Sequence, residues 1–300
     1  MNTDNAHWPT GLGRTLLAAL LCVAAGAATA QDAAALRAKQ AELHDQLANN
    51  AFGRPLVLQS TENSGNLKGD VYAIASQPYA VAGTALQGMD HWCDILILHL
   101  NVKNCSFRGS GNDSTLRLAA GRKFDQPMED THQVDFSYRV VANTADYLQV
   151  KLSADDGPLG TRDYRIVLEA TPLDDRSSFV HMSYSYAYGV AARVALQSYL
   201  ATLGRDKVGF SVVDRRADGT PTYVGGVRGV VERNAMRYFL AIDAYLNASV
   251  LPKAQQPERR ITEWITTTER YARQLHEMDR DEYLAMKRKE LARQQGNAAQ

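Results

Sequence analysis

From Val102 to Gly189 apolar and polar residues alternate with a period of two. VKNCSFR and STLRLAAGR flank the turn-forming SGND, and QVDFSYRVV, DYLQVKLSA, RDYRIVLEA and SSFVHMSYSYAYG follow in series. The breaks between these last runs are short and polar: Asn143-Thr144, Asp155 to Gly160, and Asp174-Asp175-Arg176. A pleated strand turns every second side chain to the same face, so consecutive alternating runs with such breaks predict an antiparallel meander. Upstream, residues 56–76 contain two further alternating stretches around Asn63-Ser64-Gly65-Asn66, which predicts a hairpin. A last hairpin is predicted where KVGFSVV and TPTYV flank Ala217-Asp218-Gly219.

Other segments follow helical spacing. Leu36, Leu43 and Leu47 form the apolar stripe of an amphipathic helix over residues 32–50, stopped by Asn49-Asn50 and Gly53. Pro78 opens a second helical stretch, which Gly83 and Gly88 weaken into either one helix or two. The apolar run Ile95 to Leu100 is either the end of that stretch or a buried strand, since periodicity does not separate the two. Residues 190–203 are helical in pattern. The clearest helix covers residues 227–248, where Val231, Ala235, Tyr238, Ile242 and Tyr245 share a face that Phe239 and Leu246 widen. Glu232, Arg233, Arg237 and Asp243 occupy its other faces, and Asn234 falls inside the apolar arc, where its amide needs a partner. Pro252 and Pro257 mark a linker. The highly charged residues 260–295 beyond it carry Ile261, Ile265, Tyr271, Leu275 and Met278 at helical spacing, a stripe for docking on the chain itself or on a protein partner.

The order of these elements resembles the helix-grip fold of the START-like superfamily, which includes polyketide cyclases and Bet v 1-like proteins. The resemblance covers about residues 53–250. Its local carriers are TRDYRIVLEATPLDDRSSFVHMSYSYAYG, similar to the paired late strands of those domains, and VVERNAMRYFLAIDAYL, similar to their closing helix. The helical insertion at residues 190–203 departs from the family pattern. The resemblance implies an α+β fold in which a curved antiparallel sheet grips a long C-terminal helix and encloses a cavity for a lipid-like or other apolar ligand. Four regions result: a signal at 1–30, an N-terminal helix at 31–52, the helix-grip domain at 53–250 and a helical extension at 251–300.

The first thirty residues have the layout of a cleavable export signal. Arg14 precedes an apolar core from Leu16 to Ala25, and Ala28 and Ala30 put small side chains where a cut after Ala30 requires them. The core is too short to cross a bilayer about 30 Å thick. A lipoprotein cut before Cys22 is excluded by Leu20 and Leu21 and by the place of Cys22 inside the apolar core. The expected address is therefore the periplasm or the exterior. There the two remaining cysteines, Cys93 and Cys105, are expected to form a disulfide. The chain of 300 residues has 33 basic and 33 acidic side chains, a balance that argues against a nucleic-acid partner, which needs concentrated positive charge.

Candidate chemistry is sparse. His91-Trp92-Cys93-Asp94, with His99 downstream, is the densest cluster of metal-ligand types, but the disulfide claims Cys93, and no metal or cofactor is expected. Ser110 lies in a polar turn and lacks the glycine pattern of a nucleophile elbow. Gly225-Gly226-Val227-Arg228-Gly229 precedes a helix without the lysine of a phosphate loop. Glu62, His181 and Asn234 are the acid, base or orienting groups that a cyclase- or hydrolase-like site would use. The parity of the last strand puts Val180, Met182, Tyr184, Tyr186 and Tyr188 on one face and Phe179, His181, Ser183 and Ser185 on the other. With the closing helix above the first face, Tyr184, Tyr186, Tyr188, Asn234, Tyr238 and Tyr245 are the candidate cavity residues. Tyrosine suits such a wall, having a large apolar body and one polar tip.

Overall fold

The computed structural model describes residues 32–202 and 204–298; the export signal expected at residues 1–30 lies outside them. The chain begins with two short consecutive helices, α1 (residues 32–42) and α2 (His44–Ala48). A hairpin of β1 (Leu56–Asn63) and β2 (Asn66–Ala75) follows. The stretch after Pro78 divides into α3 (Tyr79–Ala85) and α4 (Met89–Leu96), broken where Gly88 adopts φ +91°. The Ile95–Leu100 run finishes α4 and the turn after it.

The alternating region is the meander: β3 (Val102–Arg108), β4 (Thr115–Ala120), β5 (His132–Asn143), β6 (Leu148–Asp156), β7 (Thr161–Pro172) and β8 (Ser178–Tyr188). With the first hairpin it makes one antiparallel sheet of order β1-β2-β8-β7-β6-β5-β4-β3. After α5 (Val190–Ala201) comes a separate two-stranded ribbon of β9 (Val212–Arg215) and β10 (Pro221–Tyr223). The long helix α6 (Gly226–Ala248) then lies across one face of the sheet. An antiparallel sheet whose last strand is followed by a long helix laid across one face is the helix-grip arrangement. The fold is α+β and helix-grip.

Register explains which side chains meet α6. Gly69, Val71 and Ala73 of β2 are paired with Tyr184, Met182 and Val180 of β8, and directly paired residues share a face. Ile166 and Leu168 of β7 continue that row opposite Tyr184 and Met182. The helix packs closest at Gly69, where a Cβ would lie 2.8 Å from the Ala235 Cβ and 3.3 Å from the Val231 carbonyl oxygen. The opposite face bears Tyr72, Phe179 and His181. It is covered by α1, α2 and the turn between them, where Leu36, Leu43 and Leu47 are buried in a second apolar cluster with Val57, Tyr72, Ala142, Tyr147 and Phe179.

The polar arc of α6 does not face solvent. Three C-terminal helices, α7 (Gln256–Glu269), α8 (Ala272–Leu275) and α9 (Arg280–Ala298), pack behind it and against β3. Trp264 is fully buried there, stacks on Tyr283 at 4.9 Å between ring centroids and donates its indole N–H to the Arg237 carbonyl at 3.1 Å. The stripe on residues 260–295 thus docks on its own domain, with Ile261, Ile265, Leu275 and Met278 in the main core. Covering the polar arc of α6 buries its charges, and burial demands partners. Arg237 pairs with Glu277 at 2.7 Å, and Asp243 accepts a two-pronged bond from Arg54 at 2.8 and 2.9 Å. Glu232 accepts the backbone N–H groups of Phe210 and Ser211 at 2.6 and 2.9 Å. Cys93 and Cys105 form a disulfide that ties α4 to β3, with Cα atoms 5.2 Å apart. Among the described residues no helix is long and apolar enough to cross a membrane.

Candidate functional site

Between the late strands and α6 the sheet and helix do not close completely. The gap has two adjoining lobes that share Pro158, Tyr164, Tyr184 and Asn234. The first, of about 310 Å³, is walled by Tyr164, Tyr184, Tyr186 and Tyr188 and roofed by Ala192 and Leu196 of α5, with Leu159 at its rim. The second, of about 170 Å³, adds His99, Asn101, Phe136 and Tyr238. They are called here the tyrosine lobe and the histidine lobe.

Parity of β8 accounts for three of the tyrosines, because residues 184, 186 and 188 project to one side. Tyr164, at the β7 end beside a register shift, completes the group. It stacks on Tyr186 at 5.3 Å with 13° between the rings, while Tyr184 packs on Tyr238 of α6 at 5.1 Å. Asn234 borders the same two lobes as Tyr184, so its amide faces the cavity's phenols rather than the apolar core. Burial pushes the Tyr184 phenol far above its ordinary range and raises those of Tyr186 and Tyr238 as well, so all three remain neutral. The wall is aromatic and uncharged, with phenol tips that can donate or accept.

Tyr245 lies elsewhere. It packs against His91 at 5.7 Å and beneath the Arg260 guanidinium at 4.2 Å, near α4 and α7, and borders neither lobe. Burial pushes its phenol up to about 12. The α5 insertion, a departure from the family layout, forms the roof of the tyrosine lobe.

The three candidate acid–base groups do not come together. Glu62 is exposed at the end of β1, where it accepts a hydrogen bond from Tyr188 at 3.2 Å. His181 is on the far face of the sheet, between Glu169 at 2.6 Å from Nδ1 and Asp70 at 2.8 Å from Nε2, and stacks on Tyr72 at 4.3 Å. Burial pulls its pKa down, but bonds and charge from the two carboxylates outweigh this and leave it raised. Both ring nitrogens are engaged, which leaves neither to take a substrate proton. Only Asn234 faces the cavity. Near the disulfide, His91 contacts Tyr245 and Asp94 pairs with Arg260 at 2.6 Å. Among the described residues no group of three or more His, Cys, Asp and Glu is placed to hold a metal ion.

By sequence His99 is only a candidate metal ligand, yet it lines the histidine lobe. It follows α4 in a turn, and its ring stacks on Tyr238 at 4.7 Å.

No family model matches the chain, and no curated protein does. Solved structures similar to it include norcoclaurine synthase from Thalictrum flavum, with 14% identity, 49% of this chain and 90% of that one covered, and a TM-score of 0.33. A conserved protein from Geobacillus kaustophilus has 12% identity, coverage of 61% and 96% and a TM-score of 0.35. Ara h 8.0201 has 12% identity, coverage of 61% and 99% and a TM-score of 0.36. The helix-grip assignment rests on this chain's own strand order and on the seat of α6.

Proposed function

We propose that the protein is exported and that it binds and carries one small apolar molecule in the cavity between the sheet and α6. The observation that carries this reading is the wall formed by Tyr164, Tyr184, Tyr186, Tyr188 and Tyr238 around a gap the protein's own side chains leave unfilled. Interiors are close-packed, so an aromatic-walled gap of this size is what a ligand site needs and what an ordinary core avoids. Size narrows the ligand. A tyrosine lobe of about 310 Å³ is at the lower end of the roughly 300–1,000 Å³ typical of small-molecule sites. It suits an aromatic or single-chain molecule, and a lipid with two long acyl chains exceeds it. The N-terminal signal pattern and the Cys93–Cys105 pair support export to an oxidising compartment.

The test is to purify the protein gently from the exported fraction of its native host, sequence its N-terminus and extract it for mass spectrometry. A chain beginning at Gln31 with a stoichiometric small apolar molecule is the expected result. A chain beginning at Met1 refutes export. An empty protein whose tyrosine fluorescence responds to none of a panel of aromatic and single-chain compounds refutes the binding reading.

A further inference from the structure

His99 borders the histidine lobe and carries a polar atom that, among the described residues, the protein's own groups leave without a partner. His99 is 3% exposed, and its Nδ1 accepts the backbone N–H of Asn101 at 3.2 Å. Accepting at Nδ1 puts the neutral ring's proton on Nε2. That Nε2 is buried and has no hydrogen-bond partner among the described residues. Buried donors are rarely left so, because an unpaired one forfeits the hydration it had in the unfolded chain.

The layer behind this histidine is rich in cations. Lys287 donates to the His99 carbonyl at 2.9 Å, and Lys103 and Lys287 share Glu290 at 3.2 and 2.7 Å. Arg237, Lys123 and Lys207 gather on Glu277 at 2.7, 2.6 and 3.5 Å. The neighbouring carboxylate, Asp125, is engaged at the surface by Lys289 at 2.6 Å. Among the described residues cations therefore outnumber carboxylates in this layer. Burial, and then the charges of Arg237, Lys287, Lys123 and Lys103, hold the His99 pKa well below its ordinary value. Burial and Arg237 bring the Lys123 ammonium down to about 8, against the pull of Glu277. A lone neutral N–H donor backed by excess positive charge is a setting that favours a ligand oxygen bearing negative charge.

We propose that the histidine lobe takes the charged end of an amphipathic monocarboxylate, with its carboxylate accepting the His99 Nε2–H and its apolar body among Tyr164, Tyr184 and Tyr186. This rests on the cavity reading given above and specifies the class of its ligand. His99 sets specificity by hydrogen bonding, and Tyr238 holds its ring in place by stacking.

The test compares two probes that share a body and differ at one end, 4-phenylbutyrate and 4-phenylbutan-1-ol, by calorimetric titration of the signal-cleaved protein at pH 7. The acid is expected to bind at least tenfold more tightly. His99→Phe keeps a ring against Tyr238 and is expected to reduce that ratio to near one without weakening the alcohol. His99→Gln, which restores an N–H donor, is expected to recover part of the preference. An alcohol that binds as tightly as the acid overturns this inference while leaving the cavity reading intact. Absence of binding by either probe overturns both. A tenfold preference that survives in His99→Phe removes His99 from the site, and if that variant does not fold, the comparison on the unaltered protein still decides.

Discussion

Gly69→Ala tests the seat of the gripped helix. The added Cβ would be 2.8 Å from the Ala235 methyl, about 0.7 Å inside the 3.5 Å at which carbon atoms begin to attract. It would also press on the Val231 carbonyl at 3.3 Å, a backbone atom that moves only with the helix. The helix has little room to retreat, because Trp264 and Tyr283 fill the space behind it. Overpacking of this kind costs about 1–3 kcal/mol. Against it stands a gain of roughly 0.5–1 kcal/mol, since glycine inside a strand is less stable than alanine. The net loss should therefore be about 1 kcal/mol and at most about 2.5 kcal/mol, read as a lower midpoint in urea with unchanged slope. Ala235→Gly removes the opposing methyl and by itself costs about 1 kcal/mol in helix propensity. The double variant should lose less than the sum of the two single losses, because the 2.8 Å contact with the Ala235 methyl disappears and only the 3.3 Å approach to the Val231 carbonyl remains. Losses that add to within about 0.5 kcal/mol would show that the two positions do not press on each other, and would refute this account of how β2 and α6 meet.

Removal of the imidazolium by His181→Gln leaves Asp70 and Glu169 buried without their shared cation, at a cost of about 3 kcal/mol near neutral pH, measurable by urea unfolding. Since the folded pKa of His181 is raised, its contribution is complete below the unfolded value of about 6.5 and is lost as pH climbs through the folded value. Asp70 and Glu169, both lowered despite burial by their bonds to His181, work in the opposite sense: their share is present above the ordinary carboxylate range and disappears on acidification. Unfolding midpoints followed from pH 5 to 9 should fall more steeply on the alkaline side in the unaltered protein than in His181→Gln, and parallel curves would dismiss the network. Trp264→Ala should lose about 3–5 kcal/mol of stability. Truncation after Ser249 should give no cooperative transition, because it exposes the Arg237 side of α6; a folded truncated monomer would show the C-terminal helices to be dispensable for the core.

The parts of the fold that were legible in the sequence are those decided within a few residues. Strand parity assigned Tyr184, Tyr186 and Tyr188 to one face and His181 to the other, because alternation is a property of the pleat itself. What lies over each face is decided by distant segments. His181 is on the sheet face away from α6, and nothing near it in sequence announces Asp70 as its partner, 111 residues away. The same limit explains the polar arc of α6. Arg237 and Asp243 resemble solvent-facing charges until Glu277 and Arg54 reach them from 40 and 189 positions away. Tyr245 shows a different limit. It shares a helix face with Tyr238, yet seven residues carry it about 10 Å along the axis, at 1.5 Å per residue. A face is a direction, whereas a cavity also has a length, and this one ends before the second tyrosine. His99 is the complementary case. Its alternatives in sequence were a ligand or a bystander, and what distinguishes it is an Nε2 left without a partner, which only the surrounding packing could create. The features that would make this cavity selective are thus those that local pattern cannot carry: the end of a tyrosine row, an unpaired donor, and a lysine, Lys287, delivered from a helix 188 residues downstream to the carbonyl of the histidine.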